Sequence, residues 1–186
     1  MRLIILLLCF LSCRSDRSRI VTLKQFGWSF ELPAALSFND STFNKNGQID
    51  KSLWDTSAFD PKPRVELFWI KPDKRNYFNT IIYIDSSEYN KWAQDVLADS
   101  RFYIAAITET PELKLLDTLI SVENIDGVNL QKEYLKIFNS VTKNTTYSYK
   151  FSRKYKSYSL NMNIRFIDPQ IGKKLLSILN SSKFDR

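Results

Sequence analysis

Tyr147-Ser148-Tyr149-Lys150-Phe151-Ser152 is followed, after a short basic break, by Tyr158-Ser159-Leu160-Asn161-Met162-Asn163-Ile164-Arg165-Phe166. In both stretches an aromatic or aliphatic residue alternates with a polar one, the period of two that belongs to a strand with one apolar and one polar face. Adjacent runs of this kind make an antiparallel sheet, since such a sheet keeps one face on a core and the other toward water. Immediately upstream, Leu115 to Val122 and Leu130 to Phe138 read as two more strands around the turn Ile125-Asp126-Gly127, and Lys143-Asn144 makes the next turn. The second half of the chain is therefore an antiparallel meander.

Outward from the meander the period changes. Tyr89, Trp92, Ala93, Val96, Leu97, Tyr103, Ile104 and Ile107 follow the 3, 4, 7 spacing of an amphipathic helix, with Ser86-Ser87 as its expected N-cap and an end before Pro111. Downstream, Asp168-Pro169 is a cap and first-turn pair, and Ile171, Leu175, Ile178 and Leu179 form the stripe of a closing helix that finishes near Ser182. Further upstream, Val65 to Ile70 and Phe78 to Ile84 read as a strand pair joined by the charged loop 71–76, and Trp28 to Leu32 as a strand ending at Pro33. The stretch 39–63 reads as loop, with Asn46-Gly47 as a tight turn and Pro61-Lys62-Pro63 as stiff punctuation. The aromatic content of 14% and only four glycines agree with a sheet-rich core. The fold class expected is α+β: an antiparallel sheet flanked by helices.

The first residues have a different character. Met1-Arg2 is a minimal positive start, and Leu3 to Leu11 is an apolar run of about nine residues, well short of the about 20 that a membrane-crossing helix needs. It reads as the core of a signal peptide. Phe10-Leu11-Ser12-Cys13 then places a small residue directly before a cysteine, which resembles the lipobox of bacterial lipoproteins, although Phe10 and Leu11 depart from its commonest residues. The resemblance implies cleavage before Cys13, a lipid on its thiol and acylation of the new amine, with an ordinary secretory signal cut nearby as the alternative. The expected organisation is a signal peptide over 1–12, a polar tether over 13–19 and one α/β domain over 20–186.

Phe30-Glu31-Leu32-Pro33 at the start of that domain, and Leu175-Leu176-Ser177-Ile178-Leu179-Asn180-Ser181-Ser182-Lys183-Phe184 at its end, resemble the PsbP-like superfamily. The resemblance implies an α/β/α sandwich and a non-enzymatic accessory, assembly or binding role. A metal role suggested for certain relatives is not carried over, because this chain has no histidine.

The absence of histidine also removes every Ser-His-Asp and Cys-His arrangement. No glycine-rich phosphate loop is present. The stretch 42–53 echoes a calcium loop, but Thr42 and Leu53 stand where its carboxylates belong, so it reads as a plain turn. Asp50, Asp55 and Asp60 have no ligand spacing, and neither metal nor cofactor is expected. Glu31, Glu66, Asp85 and Glu133 lie on or beside strands; a pair such as Glu66 with Asp85 in a cleft would mark the alternative function, a carboxylate-dependent hydrolase of envelope polymers. Trp54, Phe59 and Trp69 are assigned to the core in preference to a ligand groove.

Charge points to partners. The formal net charge is +7, and Lys132, Lys136, Lys143, Lys150, Arg153, Lys154, Lys156 and Arg165 all fall within the meander, interleaved with Tyr147, Tyr149, Tyr155 and Tyr158. In an intracellular protein that mixture would fit single-stranded nucleic acid; export argues against it. The candidate binding surface is Lys132, Lys136, Lys150, Arg153, Lys154, Lys156 and Arg165, with anionic lipid, an anionic glycan or an acidic envelope protein as partner. The competing account is a solvated face kept soluble by lysine. The function expected is thus a lipid-anchored binding or assembly accessory of the bacterial cell envelope, attached to a membrane through Cys13, with its oligomeric state open.

Overall fold

The computed structural model describes residues 18–37, 54–57 and 60–185. The signal peptide, Cys13, most of the tether, the 42–53 turn with Asp50, and Phe59 lie outside the described residues, as do the side chains of Asp55 and Asp60. The order is β1 (Arg19–Leu23), β2 (Trp28–Leu32), β3 (Asp55–Ser57), β4 (Asp60–Ile70), β5 (Tyr77–Ile84), α1 (Tyr89–Thr108), β6 (Leu113–Ile125), β7 (Val128–Asn139), β8 (Asn144–Tyr155), β9 (Tyr158–Phe166), α2 (Pro169–Asn180) and β10 (Lys183–Phe184). A seven-stranded antiparallel sheet runs β3-β4-β5-β9-β8-β7-β6, and a small sheet runs β1-β2-β10. None of the described helices is long and apolar enough to cross a membrane.

The alternation of β8 and β9 does what its period requires. Leu160, Met162, Ile164 and Phe166 point to one face, where they meet β2 and α2; Ser159, Asn161, Asn163 and Arg165 point to the other. Against the apolar face Trp28, Phe30, Phe68, Phe78 and Phe184 form one aromatic cluster, with Trp28 5.0 Å from Phe30 and 6.0 Å from Phe184. Leu175, Ile178 and Leu179 of α2 are buried there, each contributing about 1.5–3 kcal/mol. Asp168 caps α2 by accepting from the N–H groups of Gln170 and Ile171, as the Asp-Pro pair predicts. Gly172 lets α2 approach β9: a Cβ there would sit 2.4 Å from the Phe166 ring.

The opposite face carries α1, so helices flank the sheet on both sides, and the α+β sandwich expected from the sequence is the fold observed. Trp92 is buried and donates from Nε1 to Ser159 Oγ at 2.8 Å. Ile107 packs with Leu135 and Ile137, supported by Ile104, Leu113 and Leu115. These contacts tie α1 over β6 to β9 without burying all of the polar face.

Four local expectations are corrected. The N-cap of α1 is Glu88; Ser87 instead donates from both its N–H and its hydroxyl to Asp85 Oδ1, which removes it from the helix end. Arg19, expected in the tether, begins β1 and pairs with Leu32. Pro61 and Pro63 lie inside β4, where only the short β3 is alongside, so their missing N–H groups cost little. The chain also continues past Ser182 into β10, whose Phe184 N–H donates to Asp126 Oδ2 in the β6–β7 turn.

Candidate functional site

Where α1 leaves it uncovered, the polar face is the floor of a groove. Two adjoining cavities of about 360 and 330 Å³ share Tyr77, Tyr103 and Arg165. Strand register sets the floor. Asn79 on β5 faces Asn163 on β9, which faces Lys150 on β8, which faces Glu133 on β7. On one side of that row Tyr77 faces Arg165, which faces Ser148; on the other Ile81 faces Asn161, which faces Ser152.

The amides hold one another in place. Asn79 donates from Nδ2 to Glu66 Oε1 at 2.7 Å, and Asn163 donates from Nδ2 to Asn79 Oδ1 at 3.2 Å. Asn161 Oδ1 accepts from the Ser152 hydroxyl at 2.7 Å. An amide has two N–H donors and an oxygen with two lone pairs, so each keeps bonding capacity beyond this chain of contacts. A preoriented amide costs less to order around a ligand than a mobile one.

The mouth is built by the loop 71–76. Asp73 Oδ1 accepts from the N–H groups of Arg75 at 2.7 Å and Asn76 at 3.1 Å, and Oδ2 accepts from Asn76 Nδ2. These donors, first the Arg75 N–H, hold the Asp73 carboxyl below its ordinary value. Asn76 is buried, and its Oδ1 accepts from the N–H groups of Ile167 and Asp168. The turn is thereby pinned to the end of β9 with Lys74 and Arg75 on the cavity wall beside Arg165. With Lys150 deeper in, four cations line the two cavities and Glu133 is the acidic residue among them. Arg165 has no ion-pair partner among the described residues.

Glu133 is 6% exposed, beneath α1, and its Oε2 has no hydrogen-bond donor among the described residues. Glu66 and Asp85 do not converge: Glu66 is held by Asn79, whereas Asp85 at the end of β5 pairs with Lys154 at 3.4 Å and takes bonds from Ser87. Trp69 lies on the groove side of β4, its ring 5.1 Å from Tyr77, while Trp54 packs 6.4 Å from Tyr158.

The seven basic residues singled out from the sequence do not share a surface. Arg165 and Lys150 meet in the groove. Lys132 and Lys136 point to the opposite face, over the rings of Tyr149 and Tyr147 at 5.9 and 5.7 Å, with Lys132 also paired to Glu123 at 2.5 Å. Arg153 is 5% exposed, sandwiched between Tyr155 and Phe184 at 4.7 and 4.6 Å, and donates to the carbonyls of Phe26 and Asp185. Burial pushes its guanidinium below its ordinary value while Tyr155 and Asp185 oppose that shift. Lys154 is turned inward onto Asp85, donating to both its backbone carbonyl and its carboxylate. Lys156 occupies the β8–β9 turn with a positive φ of 54°. The split is what a period of two dictates: 150, 154 and 165 fall on one face in register, and 132, 136 and 153 on the other.

Comparison with protein-family models and with curated proteins finds no match. Among solved structures the chain is similar to cyanobacterial PsbP of Synechocystis sp. PCC 6803, with a TM-score of 0.56 and 10% identity over 94% of this chain and 96% of that one. It overlays more loosely on LpqN of Mycobacterium tuberculosis, described as involved in cell envelope biogenesis, with a TM-score of 0.44 and 10% identity over 91% of each chain. A Pseudomonas aeruginosa protein of unknown function gives 0.39, with 13% identity over 89% of this chain and 95% of that one. At 10% identity the PsbP likeness is one of fold, and the fold is the one that the two ends of the domain led us to expect.

Proposed function

We propose that this chain is an exported, lipid-anchored binding accessory of the bacterial cell envelope, and that the groove beside α1 is where it holds an anionic group of its partner. The observation that carries the reading is the groove itself: Lys74, Arg75 and Lys150 line two adjoining cavities that meet at Arg165, over a floor fixed by strand register. Four cations against the single lining carboxylate of Glu133 leave the site net positive, and like charges repel one another, by about 4 kcal/mol for a pair 4 Å apart at an effective dielectric of 20. A bound anion reverses the sign of that interaction. A groove also focuses the field more than a flat lysine face does, which steers anionic partners toward it.

The anchor belongs to the same reading and rests on the sequence. The apolar run Leu3 to Leu11 and Ser12-Cys13 support cleavage before Cys13 and lipidation of its thiol; several buried acyl chains, at about 0.8 kcal/mol per CH₂, hold a domain at a bilayer where one chain is marginal. Metabolic labelling with a clickable fatty acid tests the anchor: label enters the wild type and is lost in Cys13→Ala. Equal labelling of both, or of neither, contradicts it. The groove is tested by titrating citrate: Arg165→Gln weakens binding about tenfold or more, the value of one charge-assisted contact. Affinity unchanged by that substitution removes the groove from the account.

A further inference from the structure

We infer that the anionic group the groove receives belongs to a saccharide: its ligand is an acidic glycan segment, bound by the Asn163 and Asn161 amides through ring hydroxyls and by Arg165 through a carboxylate, sulfate or phosphate. This deepens the reading above and rests on it. A site for a bare anion needs only donors, and cations with backbone N–H groups suffice. This floor offers more. Asn79, Asn163 and Asn161 occupy neighbouring register positions on β5 and β9, and the amide planes of Asn79 and Asn163 are set by the chain Asn163 to Asn79 to Glu66. Asn79 is buried and holds Asn163, while the half-buried Asn163 keeps its Oδ1 and Asn161 its Nδ2 free of partners among the described residues. An acceptor beside a donor matches hydroxyls that both give and take hydrogen bonds, and a bare anion leaves the acceptor unused. Ser148 adds a hydroxyl opposite Arg165.

The wall complements the floor. Tyr77 and Tyr83 on β5 and Tyr103 on α1 line the same cavity. Tyr103 is 47% exposed on a helix face where solvent would favour a charged residue, and a tyrosine ring offers an apolar face to the C–H side of a sugar while its hydroxyl stays wet. At about 330 and 360 Å³, each cavity has the dimensions of a small-ligand pocket, and the two adjoin at Tyr77, Tyr103 and Arg165.

The test uses the full chain in detergent and a panel of trigalacturonic acid, a sulfated heparan-type tetrasaccharide, mannose 6-phosphate, neutral maltotriose and inorganic phosphate. At least one acidic saccharide should bind at least tenfold tighter than both maltotriose and phosphate. Asn163→Ala should remove about tenfold of that saccharide's affinity and leave phosphate unchanged, whereas Arg165→Gln should weaken both. Asn161→Ala serves as the second amide variant, because Asn161 is only half-buried and its loss leaves the Glu66–Asn79 bond intact. Phosphate binding as tightly as every acidic saccharide, or saccharide affinity indifferent to both amide variants, overturns the glycan inference and leaves the anion-binding reading standing. Failure of every anion in the panel overturns both.

Discussion

Replacing Arg153 with methionine separates a stabilising clamp from a ligand contact. The guanidinium bridges the small sheet region to the large sheet, donating to Phe26 O at 3.4 Å and Asp185 O at 2.9 Å between two aromatic rings. Bonds from a charged donor are worth about 1.5–3 kcal/mol each, the longer one at the low end. Two ring faces add about 0.5–1 kcal/mol each. Relief of the cost of burying the charge takes part of this back, and methionine fills most of the volume. The net loss expected is about 2–4 kcal/mol, or about 5–10 °C in Tm for a domain of this size. Thermal unfolding by circular dichroism measures it, with Arg165→Met as the exposed control that changes stability by about 0.5 kcal/mol or less. The loss should be constant from pH 5 to 9, because a guanidinium lowered by burial still keeps its proton throughout that range. Unaltered stability together with weakened citrate binding would refute the clamp and restore Arg153 to the binding surface.

Gly172→Ala gains about 1 kcal/mol of helix propensity but sets a methyl 2.4 Å from the Phe166 ring, so the variant should unfold at lower urea concentration than wild type; a more stable variant would contradict the close approach. Trp92→Phe leaves the buried Ser159 hydroxyl without its donor and should cost about 2–3 kcal/mol, with amide exchange accelerating in α1 before the rest of the sheet; uniform exchange would place the helix's hold elsewhere. The loop 71–76 should loosen in acid. Its Asp73 carboxyl is held below the ordinary aspartate value of 3.8, so its contribution is complete above that value and fades as the pH falls through the lower folded one. Amide shifts of Arg75 and Asn76 followed from pH 6 to 2 should titrate with a midpoint below 3.8, and Asp73→Asn should abolish the step.

The alternation of Tyr158 to Phe166 was legible because the sheet obeys it without a fault, and α2 because cap, proline and stripe agree. The register of β5 against β9 was not legible. Asn79 sits within the apolar run Phe78 to Ile84 and Asn163 lies 84 residues away, so nothing local marks that they touch. Lys74 and Arg75 read as an ordinary charged loop until Asn76 pins that loop to Ile167. The basic residues were legible one by one but not as a surface, because strand parity sends Arg153 inward and Lys150 to the other face. One signal was available: the polar side of β9 carries asparagines where a merely solvated face more often carries lysine or glutamate. Sequence separation also hid β1 and β10, a five-residue strand behind an arginine-rich stretch and a two-residue strand at the end of the chain.

On the proposed reading the groove, and not the Lys132–Lys136 side of the sheet, receives the anionic partner. Backbone amide shifts recorded while citrate is titrated into the protein test it most directly. Perturbations should gather at Lys74 to Tyr77, Asn79, Lys150 and Asn163 to Arg165, saturating with one affinity that falls as salt is raised. Perturbations centred on Lys132, Tyr134 and Lys136, with the groove silent, would contradict it.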